Sequence, residues 1–229
     1  MAGRGTSGMN KRILLGLTLA NPLRLIIPVI LLVLAGRTFN VNAQTETNLY
    51  SFVGSPADGN YPEAGLVQGS DGSFYGTTVG GGMNNVGTVF RISPGGTYTN
   101  LHSFVGPPND GGFPYAALVQ GSDGNFYGTT AGVGTFGNGT GTVFRISPSG
   151  SYTNLYSFPG YPTNGAGLFA GLVQGSDGNF YGTTFGGGTG FYCGSPGCGT
   201  IFGSVPAASI RIFTLLATPP TMEAVPSRG

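Results

Sequence analysis

An internal repeat constrains this chain more than any other feature. The motif LVQGSDG begins at Leu66, Leu118 and Leu172, and FYGTT follows each copy after the same short interval. The copies are 52 and 54 residues apart, and variants of GTVFRIS and TNLYSF recur behind them in the same order. A fixed period of this size predicts a chain that uses one supersecondary unit several times. The units therefore repeat about every 53 residues, and they are placed at residues 62–104, 114–158 and 168–216.

Each unit is predicted to contain four short β-strands. The Ser-Asp-Gly that follows the first run is a hairpin signal, because glycine accepts a positive φ without a Cβ clash. In the third run, Phe90 and Ile92 alternate with Val89 and Arg91, the period-two pattern of a half-buried strand. No segment after residue 43 has a 3.6-residue apolar period, so the domain is predicted to be all β. The side chains expected to be buried at matching places are Leu66, Leu118, Leu172, Phe90, Phe144 and Phe202.

Four-stranded units of this length are typical of the blades of a β-propeller. We therefore expect a propeller-like array of three four-stranded units within residues 44–216. Because propellers usually have about four to eight blades, three alternatives are open. The chain is a truncated propeller, it self-associates with another copy to complete a ring, or its units form a short open array. A further TNLYSF copy at residues 47–52 precedes the first unit and could supply an outer strand to the last unit.

The first 43 residues indicate export. Basic residues, among them Lys11 and Arg12, precede an apolar run from Leu25 to Gly36. This run suits the core of a signal peptide better than a membrane span, which needs about 20 residues. Small residues before Gln44 match a signal peptidase site. We therefore predict that residues 1–43 form a signal peptide and that the mature protein is secreted or lies at the cell surface.

The alternative is a membrane anchor over residues 13–35. That segment is long enough to cross a bilayer, but Arg24 would then lie near its centre at a cost of about 2.5–3.5 kcal/mol. At the other end of the chain, residues 217–229 are predicted to form an unstructured tail.

The composition excludes nucleic acid as a partner. Charged residues make up 7% of the chain, and residues 44–229 carry four arginines against eight acidic residues. A surface of this kind has too few cations to bind a phosphate backbone. The 45 glycines do not indicate disorder, because aromatic residues make up 12% of the chain and supply apolar surface for a core.

The ordered motifs carry a resemblance to a known family. The succession LVQGSDGNFYGTT, a glycine-rich loop, GTVFRISPSG and LYSF resembles the bacterial GloVer repeat family, the Gloeobacter/Verrucomicrobia type of tandem-repeat protein. Its members are choice-of-anchor exported proteins, and the resemblance covers residues 47–216. It implies a secreted or surface location and a propeller-like fold, and it brings no catalytic residues. This chain has fewer repeats than a closed ring would need.

Few residues point to catalysis. His102 stands where Tyr50 and Tyr156 stand in the other copies, so we interpret it as a strand residue rather than the base of a Ser–His–Asp set. Calcium-binding and phosphate-binding loop motifs are missing. We predict no enzymatic activity, no catalytic residue, no metal site and no cofactor. Each aspartate precedes a glycine, a pattern typical of turns: Asp58, Asp71, Asp110, Asp123 and Asp177.

Two cysteines lie close together as Cys-Gly-Ser-Pro-Gly-Cys. A zinc site needs more ligands than Cys193, Cys198 and one distant histidine. In an exported protein, a local disulfide between them is the expected alternative.

The glycine-rich loops differ between units while the strands hardly change. Variable loops on a constant scaffold are common sites of binding specificity. The third loop adds Phe185, Phe191 and Tyr192, so we predict a binding loop there for an unknown ligand, with a cell-surface polysaccharide or a protein as candidates. The loops in question are residues 80–86, 131–140 and 185–198.

The predicted function is that of an exported, non-catalytic binding or structural module. Two alternatives are a carbohydrate-active propeller enzyme and a degenerate repeat fragment without a function of its own. The alternative to a binding role for the loops is that they vary because nothing constrains them.

Overall fold

The structure is a computed structural model, and it contains only strands, turns and irregular segments among the residues it describes. Contacts divide the chain into two units, Met1–Thr47 and Asn48–Gly229, and all the strands belong to the second. No helix in the described part of the chain is long and apolar enough to cross a membrane. The described residues are 46–107, 110–132, 140–160, 165–188, 197–205 and 209–213.

Each repeat folds as one antiparallel four-stranded sheet, as predicted. The strands are β1 Gly59–Asn60, β2 Val67–Gln68, β3 Phe74–Thr78, β4 Gly80–Gly81, β5 Thr88–Ile92, β6 Tyr98–Ser103, β7 Val119–Gln120, β8 Phe126–Thr130, β9 Thr142–Ile146, β10 Tyr152–Ser157, β11 Val173–Gln174, β12 Phe180–Thr184, β13 Thr200–Val205 and β14 Ser209–Phe213. The strand orders are β2-β3-β5-β6, β7-β8-β9-β10 and β11-β12-β13-β14. In addition, β1 pairs with β4 in a short ladder that precedes β5.

The glycine of FYGTT lies beneath a phenylalanine of the neighbouring strand in every sheet. In the second sheet, Gly128 pairs with Phe144, and a Cβ on this glycine would lie 2.5 Å from the ring. The equivalent distances are 2.6 Å for Gly76 and 2.5 Å for Gly182. Because no side chain fits under the ring, this position requires glycine.

The Ser-Asp-Gly turns form as predicted and are tied to the strand that follows. Asp71 Oδ1 accepts the Ser73 N–H at 3.1 Å, and the Tyr75 hydroxyl donates to Asp71 Oδ2 at 2.8 Å. The same bonds recur at Asp123 and Asp177, with Tyr127 and Tyr181 as donors.

Consecutive sheets pack face to face through equivalent contacts, which we call the seams. In the first seam, the ring of Tyr75 stacks on Phe126 with a centroid distance of 3.9 Å. Beside it, the Thr77 hydroxyl donates to the carbonyl of Ala116 at 3.1 Å. The second seam repeats both contacts, with Tyr127 on Phe180 at 3.9 Å and Thr129 on the carbonyl of Ala170 at 3.0 Å.

The core lies within the sheets and at the seams. Phe90, Phe144 and Phe202 are all buried, which confirms their prediction. One apolar cluster, which includes Phe104 and Phe144, lies at the first seam, and a second joins Val143 to Phe202 at the second seam. The strands therefore derive much of their stability from contacts with the next unit, as in other repeat proteins.

The prediction of equal burial for the three leucines was wrong. Leu118 is 5% exposed, whereas Leu66 is 55% exposed and Leu172 is half-buried. Each leucine lies over the glycine of FYGTT in its own sheet. Leu118 also packs in the cluster of the first seam, but no sheet precedes the first one in the described part of the chain. The burial of this leucine therefore depends on a neighbouring sheet.

The predicted signal peptide over residues 1–43, the alternative anchor over 13–35 and the predicted tail over 217–229 lie outside the described residues. They remain predictions.

Candidate functional site

The first variable loop is held by its own backbone and side-chain bonds. Gly80 and Gly81 pair with Asn60 and Gly59 in the short ladder of β1 and β4. Within the loop, Asn85 accepts the N–H of Gly81 through its side-chain oxygen at 2.9 Å. This loop is thus a folded element of the first unit.

Aromatic side chains meet at the base of the third variable loop. Phe185 follows β12 directly and is 58% exposed. Its ring meets the edge of Phe169, with 5.9 Å between centroids, and Phe169 lies 5.5 Å from Tyr115. We call Tyr115, Phe169 and Phe185 the aromatic cluster. Tyr115 precedes the second sheet and the other two residues belong to the third unit, so the cluster spans two units.

The backbone beneath the aromatic cluster fixes the positions of two of its rings. The N–H of Phe185 donates to the carbonyl of Gly167 at 2.9 Å. Gly167 has a φ of +66°, and a Cβ there would lie 2.8 Å from the Phe169 ring and 3.3 Å from the Phe185 Cβ. Glycine at this position therefore makes the approach of the two phenylalanines possible.

Only one member of the aromatic cluster, Phe185, was predicted from the sequence. Phe185 belongs to the predicted binding loop, whereas Phe191 and Tyr192 lie outside the described residues. Tyr115 and Phe169 were missed, although both stand three residues before the LVQG motif, at the place of Glu63 in the first unit. That shared place in the repeat is the signal that could have found them.

The predicted disulfide is not tested by the described residues. Cys198 lies at the surface, and Cys193 falls outside the described part of the chain. The pairing of Cys193 with Cys198 stays a prediction.

Two aspartates predicted as turn residues are also buried acceptors. Asp58 is 2% exposed and Asp110 is 6% exposed. Asp58 accepts bonds from the Tyr50 hydroxyl and from the N–H groups of Val53 and Gly54. The prediction that they only shape turns was therefore incomplete. The signal in the sequence is a constant spacing: Asp58 follows Tyr50 by eight positions, and Asp110 follows His102 by the same number.

His102 occupies the position that Tyr50 occupies one unit earlier. His102 Nε2 lies 2.9 Å from Asp110 Oδ2, and its ring stacks on Tyr152 with a centroid distance of 3.9 Å. Tyr50 likewise bonds Asp58 and stacks on a tyrosine of the sheet that follows, at 4.2 Å. Among the described residues no serine hydroxyl bonds to His102. The geometry supports its interpretation as a strand residue that joins two units.

The environment of Asp110 favours its charged form. Burial opposes ionisation of the carboxyl, but its interactions with His102, with the Tyr152 hydroxyl and with the Val105 N–H outweigh it and hold the pKa of Asp110 below its usual range. Burial and the same carboxylate raise the pKa of Tyr152 well above its usual value. In the preceding set, burial and then the Asp58 carboxylate raise the pKa of Tyr98 to about 12.

We expect the Asp110→Ala variant to lose stability in a pH-dependent way. The change leaves His102 and the Val105 N–H without their acceptor, which typically costs about 1–3 kcal/mol. Because the pKa of Asp110 is lower in the folded state, its contribution is complete above the unfolded-state value of about 4 and is lost as the pH falls through the folded-state value. Urea unfolding of both proteins between pH 7 and strongly acidic pH measures this difference.

The matched control for that experiment is Glu63→Ala, which removes an exposed carboxylate. It should change the free energy of unfolding by less than about 0.5 kcal/mol. An Asp110→Ala variant that loses no more stability than this control would contradict the assigned role.

Within the described ranges, no group of three His, Cys, Asp or Glu side chains is arranged to hold a metal ion.

The comparisons with known proteins place the chain in a family. No curated protein matches its sequence. The family model described as the Gloeobacter/Verrucomicrobia repeat matches residues 34–228, which include all three units and the segment that precedes them. Since this match covers most of the chain, the protein belongs to the Gloeobacter/Verrucomicrobia repeat family.

Proposed function

We propose that this protein is an exported, non-catalytic β-repeat module that binds a neutral polysaccharide through the aromatic cluster. The observation that carries the proposal is the exposed face of Phe185, held against Phe169 at the base of the most variable loop. Aromatic faces pack well against the apolar C–H faces of sugar rings, and a rigid pair of rings binds at low entropic cost.

The electrostatic character of the cluster favours an uncharged ligand. Its three members carry no charge at neutral pH, and the first unit, where Glu63 stands at the equivalent place, lacks the cluster. Charged side chains are rare throughout the chain, so a polyanion would find few cations.

We propose that the three sheets are blades of a propeller-like array and that the leader directs export. Support for the array comes from the repetition of the seam contacts between consecutive four-stranded sheets. Support for export comes from the basic and apolar pattern of residues 1–43. Support for a non-catalytic role comes from His102, whose bond and stacking are those of its tyrosine counterpart.

We expect Phe185→Ser to weaken retention on an insoluble neutral polysaccharide. Loss of an aromatic contact worth about 0.5–1.5 kcal/mol lowers the apparent affinity by about 2–10-fold. A pull-down on cell-wall polysaccharide, with the bound fraction measured against protein concentration, gives this value. Circular dichroism verifies that the variant keeps its fold.

Val105→Ser is the matched control, because Val105 is an apolar side chain of similar exposure, 54%, in a turn between the first two units. It should bind like the wild type. Equal retention of all three proteins would contradict the proposed site, and turnover of the polysaccharide by the wild type would establish an enzyme instead.

A further inference from the structure

The third sheet leaves uncovered the face that the other two sheets bury in a seam. This outgoing face carries the tyrosine and first threonine of the FYGTT strand and the apolar residue that pairs with that threonine on the next strand. In the first two sheets that apolar residue is Val89 or Val143, and both are fully buried. Ile201 holds it in the third sheet and is 54% exposed, and Thr183 is exposed as well.

The first sheet leaves part of its opposite face uncovered. This incoming face carries the leucine and glutamine of LVQG and the phenylalanine that begins FYGTT. The phenylalanine is buried in the second and third sheets, as Phe126 and Phe180, whereas Phe74 in the first sheet is only half-buried. Leu66, on the same face, is more than half exposed.

The two open faces carry the residues that complete a seam. In both internal seams, the glutamine amide of the incoming face donates to a serine of the preceding sheet, as Gln120 does to Ser70 at 3.2 Å and Gln174 to Ser122 at 3.2 Å. The open faces retain the corresponding side chains, Gln68 on the first sheet and Ser176 on the third. Thr183 holds the position from which Thr77 and Thr129 donate to the carbonyls of Ala116 and Ala170. Ala64 is the equivalent alanine of the first unit.

The incoming face of the first sheet is already organised like an internal one at its outer end. Phe52 contacts the edge of Phe90 with 5.2 Å between centroids, and Tyr50 stacks on Tyr98. In the first seam, Phe104 contacts Phe144 at 5.4 Å in the same manner. Residues 50–52 therefore take the place that the end of the preceding sheet takes in the first seam. The part of this face that stays open lies on the first two strands, with Leu66, Gln68 and Phe74.

We propose that a second copy of this chain supplies the missing neighbour, so that the outgoing face of the third sheet packs on the incoming face of the first sheet of the next copy. On the first two strands of the incoming face, the contact continues the seams within the chain and uses the same residue types in the same register. It is heterologous, since two different faces meet, and it joins copies head to tail. This inference is independent of the proposed polysaccharide site.

The test compares the wild type with variants that place a charge on one open face. The full chain, as purified, should have about twice the mass of one copy, or more, in light scattering at about 100 µM. Leu66→Asp on the incoming face and Ile201→Lys on the outgoing face should each have the mass of a single copy, because an unpaired charge would be buried in the new seam. Met83→Asp, at an exposed residue of the first variable loop, should associate like the wild type.

Mixing the two monomeric variants separates loss of the contact from loss of the fold. The Leu66→Asp copy keeps a native outgoing face and the Ile201→Lys copy keeps a native incoming face, so the mixture should form dimers that neither variant forms alone. A single-copy mass for the wild type, or a mixture that stays monomeric, would overturn the proposal.

Discussion

Replacing Phe144 with alanine is expected to destabilise the protein by about 3–5 kcal/mol. The Phe144 side chain is fully buried, lies over Gly128 and meets the ring of Phe104 in the first seam. The change therefore opens a cavity within the second sheet and removes a contact between the first two sheets. The melting temperature should fall by about 6–20 °C for a domain of this size. Calorimetry or circular dichroism measures this change.

The control for this prediction is Phe185→Ala, which removes the same side chain from an exposed position. Its effect on the melting temperature should be a small fraction of that of Phe144→Ala, because little apolar area is returned to water. If both variants melted at the same temperature, the placement of the core between the sheets would be wrong.

Leu118→Ala is expected to lower the free energy of unfolding by about 2–5 kcal/mol, whereas Leu66→Ala should lower it by less than about 1 kcal/mol. The two leucines hold the same place in consecutive repeats, but Leu118 is buried in the first seam and Leu66 is exposed. The difference therefore measures the contribution of the seam at constant local sequence. Urea unfolding at submicromolar protein concentration gives both values without association of copies.

The outcome that contradicts this prediction is an equal loss of stability in both variants. Such a result would mean that each leucine acts only within its own sheet. Leu172→Ala provides an intermediate case, since Leu172 is half-buried.

Local features of the fold could be predicted from the sequence because they depend on neighbouring residues. Asp-Gly turns, alternating apolar positions and a constant period predicted four-stranded antiparallel units, and the structure has them. Burial of Phe90 and its equivalents was predictable for the same reason, since the ring packs on a glycine of the adjacent strand in its own sheet.

The candidate site could be predicted only in part. Phe185 was found because an unusual loop adds aromatic residues to the repeat. Tyr115 and Phe169 are separated from it and from each other in the sequence, and only the packing of the units brings them together. The acceptor role of Asp110 was missed because its partner His102 is interpretable alone as a strand residue.

The sequence by itself determined the repeated unit, its strands and its turns, because these follow from hydrogen bonding and side-chain alternation within about 53 residues. Only the tertiary structure decided which copies of a repeated side chain are buried. Val89, Val143 and Ile201 have equivalent local surroundings, yet the first two are covered by the next sheet and the third is exposed. Burial depends on whether a neighbouring surface excludes water from a side chain, and a local sequence pattern carries no information about that neighbour.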